Sequence, residues 1–392
     1  MEESHYLGEL LKCVRCGSCK AFCPTYHEGL TEAMGARGRL VLLWGLHTGE
    51  LKPSKILQDH IFSCILCGAC TETCPSGVDV PEAIYHSRRL LRRSDRERRY
   101  LRLFTKLSFK QPELSFRLLR MGQHILLPYL IKKGILPFPL EIPEVNLKKG
   151  HQVYGASNKR GRVALFTGCM INFLFPSLGW SLIHVLRALD YEVILPAGEV
   201  CCGTPLRTIG LEEEAKELAR KNLEIFNRLK VEAVLSLCPT CTLALKREYP
   251  KLIGGGIEKA MDISSFLLDK IDVPPARIHQ LSLSALYHDP CHLKYGLGIK
   301  KEPREIMKKI GIDVSKTEGE RCCGFGGIFS LSNKDLSQGI LEKCISEYAE
   351  TEAEAIVTSC PGCLLQLRRG IYNKPVFHLI EIIAEAYLGS KI

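Results

Sequence analysis

The 392-residue chain lacks the features of a secreted or membrane-spanning protein. Its opening residues, MEESHYLGELL, carry acidic groups and no apolar core segment, so a secretory leader is not expected there. The charge-free apolar stretch Met121–Ile131 has 11 residues, against the roughly 20 that a bilayer span needs. It is expected either to lie in a membrane interface or to bury in the protein. There is no dinucleotide fingerprint, no Ser-His-Asp signature and no evident flavin site. Gly254-Gly255-Gly256 is not followed by a phosphate-loop Lys-Ser/Thr and reads as a turn. Low-complexity tracts are also missing, and 46% hydrophobic with 24% charged residues is a globular composition. The length implies two or three compact units.

Positive charge is concentrated in one place. The chain carries a net +10, of which the 23 residues Arg88–Lys110 hold +8, with ten Lys or Arg against Asp95 and Glu97. Binding to nucleic acid over the whole surface is thus not indicated. The stretch reads as a membrane-surface helix, a docking face for an acidic partner, or a solvated helix.

What the sequence has in excess is cysteine, 19 residues in tight C-x-x-C and Cys-Cys clusters. Such spacing suits metal sites better than long-range disulfides, and so points to a reducing compartment, the cytoplasm. Cys13-x-x-Cys16-x-x-Cys19-x-x-x-Cys23-Pro24 is repeated as Cys64-x-x-Cys67-x-x-Cys70-x-x-x-Cys74-Pro75. Three close thiolates wrap three corners of a [4Fe–4S] cubane, and the fourth, before Pro, ligates the other cluster in two-cluster ferredoxins. One cubane is therefore assigned to Cys13, Cys16, Cys19 and Cys74, and the other to Cys64, Cys67, Cys70 and Cys23. Gly17 and Gly68 let the backbone bend around the clusters. Between the runs, Gly38–Gly49 (GRLVLLWGLHTG) reads as a helix, so an all-helical two-cluster domain is expected over residues 1–87.

Residues 88–160 hold no cysteine and read as a basic, then apolar, then Pro-rich helical linker (Pro128, Pro137, Pro139, Pro143). From Arg162 onward short β-rich runs alternate with amphipathic helices. Val163–Phe166, Glu192–Leu195 and Ala233–Leu237 read as buried strands and Leu211–Leu229 as a helix, which implies parallel sheets with helical crossovers. This half repeats. Cys169, Cys201, Cys202, Cys238 and Cys241 recur as Cys291, Cys322, Cys323, Cys360 and Cys363, with steps of 32 and 37 residues in the first set and 31 and 38 in the second. Each set falls at strand ends, where ligands gather in open α/β sheets, so one site per repeat is expected. The fold class is α+β and multidomain: the helical ferredoxin domain, then two cysteine-rich α/β lobes over 161–275 and 276–392.

Five thiols overfill a tetrahedral zinc site, and adjacent cysteines suit an extended iron–sulfur cluster better than one small ion. Zinc or a redox disulfide in a lobe is the alternative. His288 and His292 flank Cys291 and read as hydrogen-bonding neighbours of the site rather than ligands. Cys344 lies outside both sets and reads as a buried core thiol.

The paired C…CCG…CxxC pattern resembles the cysteine-rich domain of heterodisulfide reductase catalytic subunits, which implies non-cubane [4Fe–4S] clusters. The whole arrangement resembles the iron–sulfur subunit of glycolate oxidase and related lactate dehydrogenases. Local wording carries the likeness: CPTYHEG with GARGRL, CPSGVDVPEAI, and CCGFGGIFSLSNKDLS. It covers most of the chain except residues 90–150. The resemblance implies electron transfer from a partner flavoprotein holding FAD, which oxidises glycolate or lactate, to a quinone or a carrier protein. A site at the inner face of the membrane is then expected. One departure stands out: that group often has incomplete cysteine sets, and both are complete here, which keeps disulfide reduction as the alternative activity.

Overall fold

The computed structural model of the chain describes residues 2–92, 98–133, 141–157, 160–271, 281, 283–315 and 321–389. The expected junction at 275/276, Pro137 and Pro139, and Arg93, Asp95, Arg96 and Glu97 of the basic stretch lie outside them.

The first unit is helical, with α1 (Glu2–Leu11), α2 (Pro24–Gly29), α3 (Ala36–Thr48), α4 (Lys55–Phe62), α5 (Ala69–Glu72) and α6 (Val80–Leu91). Among its described residues no strand forms. Pro24 starts α2 where its missing N–H costs nothing. The side chains of Ser54 and Asp79 cap α4 and α6 through the amides of Leu57 and Glu82, each at 3.2 Å. Leu40, Leu43, Leu57, Ile61 and Ile84 bury against Tyr6 to form the core. α6 runs across the expected junction at residue 87, because Arg88 and Leu91 remain buried on its inner face.

Three more helices follow, α7 (Arg99–Lys110), α8 (Pro112–Gly122) and α9 (Leu126–Lys132). Much of the basic charge is paired with acidic residues of the first lobe, partly at the surface. Arg89 pairs with Glu212 at 3.5 Å, Lys106 with Glu214 at 2.7 Å, and Lys110 with Glu217 at 2.5 Å.

The first sheet contains β1 (Gln152–Tyr154), β2 (Gly161–Leu165), β3 (Tyr191–Leu195), β4 (Ala233–Ser236) and β5 (Ala260–Asp262), in the order β1-β3-β2-β4-β5. The second contains β6 (Ser284–His288), β7 (Asp313–Ser315), β8 (Ala355–Thr358) and β9 (Val376–His378), in the order β7-β6-β8-β9. β2–β5 and β6–β9 therefore have one topology, all parallel. The exception is β1, an antiparallel edge contributed by the stretch read as linker. The crossovers and flanks of the first lobe are α10 (Pro176–Ala188), α11 (Thr204–Thr208), α12 (Glu212–Asn227), α13 (Pro239–Leu243), α14 (Tyr249–Ile253) and α15 (Ile263–Leu267). Those of the second are α16 (Glu302–Lys309), α17 (Ile328–Ser332), α18 (Lys334–Ala349), α19 (Pro361–Gly370) and α20 (Leu379–Leu388). The two lobes share one apolar core, in which Leu182 and Leu186 of α10 bury with Ile380 and Ile383 of α20.

His378 ties the lobes together. Its Nδ1 accepts from the Ile380 amide and its Nε2 donates to the Leu237 carbonyl, both at 3.2 Å. Burial holds its pKa down at about 4, so the folded state keeps the ring neutral. An unfolded histidine titrates near about 6.5, so this contribution is whole above that pH and drains away as pH falls toward about 4. The full loss is on the order of 3 kcal/mol. Melting temperatures recorded from about pH 7 to about pH 5 should fall more steeply for the wild type than for His378→Asn.

Candidate metal centres

The ferredoxin runs curl by the same backbone device. Arg15 and Leu66, each just before the second cysteine of its run, take φ of 58° and 62°, and the following Gly17 and Gly68 take 90° and 81°. Left-handed conformation is uncommon for Arg and Leu, and its occurrence at matched positions turns each loop around a central point. Cys13, Cys16, Cys19 and Cys74 line one cavity, Cys23, Cys64 and Cys67 a second, and Cys70 borders both. Burial raises the Cys70 thiol well above its ordinary pKa and also raises Cys23, where the nearby Arg39 guanidinium works in the opposite direction.

Two buried arginines hold these loops: Arg39, which lies in the GARGRL stretch, and Arg88, which no motif marks in the sequence. Arg39 donates to the His60 carbonyl at 2.7 Å, Ser63 Oγ at 3.0 Å and Thr25 Oγ1 at 3.1 Å. Arg88 donates to the carbonyls of Cys64 at 2.5 Å, Thr208 at 2.8 Å, Ile61 at 3.0 Å and Phe62 at 3.2 Å. It thereby clamps the second run onto the first lobe.

In the lobes, matched elements carry matched cysteines. Cys169 and Cys291 each cap a π-helical turn, Met170–Leu174 and His292–Leu297. Cys238 and Cys360 follow β4 and β8 in extended conformation and cap α13 and α19, with Pro239 and Pro361 at the first helical position. Cys241 and Cys363 then lie one turn inside. Gly203 and Gly324 follow the cysteine pairs with φ of 89° and 78°, and a Cβ on Gly324 would meet the Ser337 carbonyl at 2.6 Å. Around the first set, Glu199 accepts from the Gly168 amide at 2.7 Å and Thr167 Oγ1 at 2.9 Å, and Asn222 donates to the Cys201 carbonyl at 3.1 Å.

The thiols form a file. Cys169 neighbours Cys201, Cys201 neighbours Cys202, and Cys241 and then Cys238 come next. Cys238 meets Cys360 across the lobes. Cys360 leads to Cys363, which stands 3.3 Å from Cys323. Cys322 and Cys291 follow, and Cys291 contacts Cys67 of the second ferredoxin run. Within each repeat the five thiols run in series, the two series adjoin at Cys238 and Cys360, and one adjoins the helical unit at Cys67. All 19 cysteines are free of disulfides. Soft thiol donors in this number and density fit thiophilic metal centres.

His292 binds Thr240 Oγ1 at 2.8 Å and the Leu66 carbonyl at 3.1 Å, joining both lobes and the second run. His288 places Nδ1 2.6 Å from the Tyr348 hydroxyl, while its Nε2 is buried without a hydrogen-bond partner. Cys344 is buried beside Tyr348, and burial pushes its thiol up to about 12. Gly254 closes α14 as a turn.

Family models match in agreement with this layout. The 4Fe–4S dicluster domain covers residues 9–78, and the cysteine-rich domain covers 163–246 and 285–368. The chain is 28% identical over 425 residues to the probable glycolate oxidase iron–sulfur subunit of Bacillus subtilis, covering 97% of this chain and 94% of that one. It is 28% identical over 428 residues to one of the subunits of the dihydromethanophenazine:CoB–CoM heterodisulfide reductase of Methanosarcina barkeri, with the same shares. A hypothetical protein from Helicobacter pylori has a similar fold, with a TM-score of 0.54 at 12% identity over 91% of this chain and 68% of that one.

Loss of the Arg88 clamp would strand four carbonyls. Arg88→Met is expected to cost on the order of 3 kcal/mol, read as a lower denaturant midpoint. Lys110→Ala, which removes a surface pair, should cost less than about 1 kcal/mol in the same measurement.

Proposed function

We propose that this chain, an iron–sulfur protein with two cysteine-rich domains behind a 4Fe–4S dicluster domain, is the electron-transfer subunit of a flavin-dependent 2-hydroxy-acid dehydrogenase. A partner flavoprotein bearing FAD oxidises glycolate or lactate, and this chain carries the electrons to a quinone or a carrier protein. The file of neighbouring thiols from Cys67 to Cys169 supports this most directly, since it runs from the second ferredoxin run through both five-cysteine groups.

Cys13, Cys16, Cys19 and Cys74 would hold one cubane, and Cys64, Cys67, Cys70 and Cys23 the other. Each five-cysteine set would hold a further, non-cubane cluster. Such clusters take up and release single electrons at potentials set by charge, hydrogen bonds and exposure. The chain's own part is to bury the donors, fix their loops through Arg39, Arg88, Glu199 and Asn222, and keep neighbouring sets in contact. A second reading, reduction of a disulfide, is favoured by the contact of Cys238 with Cys360, which lays the two lobe sites side by side for one small substrate.

Peripheral attachment to the inner face of a membrane fits the surface. Along α7–α9, Leu103, Phe104, Leu107, Leu118, Met121 and Ile125 are exposed, and so are Arg99, Arg117, Lys132 and Lys133. No helix among the described residues is long and apolar enough to cross a membrane. Apolar and cationic side chains together suit an anionic lipid surface. The protein should sediment with anionic vesicles and not with neutral ones. Leu103→Asp with Phe104→Asp should abolish sedimentation, and binding that ignores both changes contradicts the attachment.

Metal analysis of anaerobically prepared protein tests the cluster assignment. About 16 irons per chain with little zinc are expected for four [4Fe–4S] centres. About 8 irons with stoichiometric zinc would confine clusters to the helical unit. Cys23→Ser should damage the cluster held by Cys64, Cys67 and Cys70. Loss confined to the cluster of Cys13, Cys16 and Cys19 would refute the crossed ligation.

A further inference from the structure

We infer that His288 supplies a nitrogen donor, through Nε2, to the metal centre of the second lobe. The inference rests on the reading above that this lobe holds a metal centre. His288 is the last residue of β6, three positions before Cys291. A ring nitrogen of His288 and the sulfurs of Cys323 and Cys363 all lie within 4.8 Å of one another, and all three residues are buried. Nε2 has no hydrogen-bond partner in the protein. A buried polar atom left unpaired is costly, and a metal bound by the same thiols would relieve that cost.

The other face of the ring is organised for this role. Nδ1 lies 2.6 Å from the Tyr348 hydroxyl, and that hydroxyl also contacts the Cys344 thiol one helical turn away on α18. In the tautomer the proposal requires, Nδ1–H donates to the Tyr348 oxygen and the phenol O–H turns to the Cys344 sulfur. That tautomer leaves the lone pair on Nε2, the ring nitrogen that has no partner in the protein. Cys344, outside both five-cysteine sets, thereby gains a place: it anchors the residue that anchors His288.

The first lobe is built differently. Its corresponding residue, three positions before Cys169, is Phe166, buried with its ring centroid 5.4 Å from that of Phe226. Two sites with identical cysteine sets thus differ by one nitrogen donor. Neutral imidazole ligation raises the potential of an iron–sulfur centre relative to all-thiolate ligation. The second-lobe centre, beside Cys67, should therefore have the higher potential of the two lobe sites.

Pulsed EPR on the reduced holoprotein, prepared with and without ¹⁵N-labelled histidine, tests this. One strongly coupled histidine nitrogen is expected, altered by the isotope, and lost in His288→Phe at unchanged iron content with a lowered potential for one centre. Absence of such coupling in the wild type overturns the inference, as does its persistence in the variant. Should His288→Phe fail to hold its clusters, Tyr348→Phe, which keeps the ring but frees Nδ1, is to be read instead. A changed coupling then supports the assignment and an unchanged one refutes it. Metal content reads the underlying assumption separately. If the second lobe holds zinc, zinc-edge X-ray absorption must resolve one nitrogen among the sulfurs, and an all-sulfur shell counts against His288.

Discussion

Contact between thiols of different units is the constraint on which the rest of the structure depends. Cys238 can meet Cys360 only if both lobes end corresponding strands, β4 and β8, at a common boundary. Parallel sheets of one topology meet that condition, because their strand ends and following helix N-termini all open on one side. The shared core of α10 and α20 fixes the lobes to each other. His378, a residue of the second lobe, bonds the carbonyl of Leu237, immediately before Cys238. The helical unit meets a similar demand at Cys67 and Cys291, where His292 bonds Leu66 beside Cys67.

Crowding donor atoms in this way is costly, and the surrounding side chains offset the cost. Buried guanidinium groups require several acceptors each. Arg39 and Arg88 find them in loop carbonyls and hydroxyls next to cysteines, so one group satisfies itself and fixes the site together. Arg207 works across the same boundary, paired with Glu82 of α6. The left-handed turns at Arg15 and Leu66 are strain held by the packing around them, at the positions that curl thiols inward.

The cysteine spacing alone marked the iron–sulfur and cysteine-rich domains, and alternating apolar runs carried the strands to within two residues at Gly161–Leu165, Tyr191–Leu195 and Ala233–Ser236. Those signals are local and periodic. The adjacency of the two lobe sites, and of Cys67 to Cys291, left no mark in any spacing, since it arises from how finished units pack. Arg88 was hidden in a run of basic residues, where charge suggests exposure, whereas the structure buries it and pairs many neighbours with α12. β1 was read as linker because a three-residue edge strand, half exposed, has too little pattern to separate from a loop. His288 and Phe166 can be aligned by their distance from the cysteine, but only the fold reveals that one ring nitrogen lies near two cysteine sulfurs.

The proposed relay between the helical unit and the lobes is short if the centres lie as close as their cysteines do. Magnetic interaction in the reduced holoprotein reads this directly. Contact between Cys67 and Cys291 predicts that the EPR signal of the second cubane is split or broadened by its neighbour in the second lobe. Cys291→Ser, which disturbs that neighbour, should simplify the signal to that of an isolated cluster. A wild-type spectrum equal to the plain sum of isolated centres, unchanged by the substitution, would contradict a continuous relay through this chain.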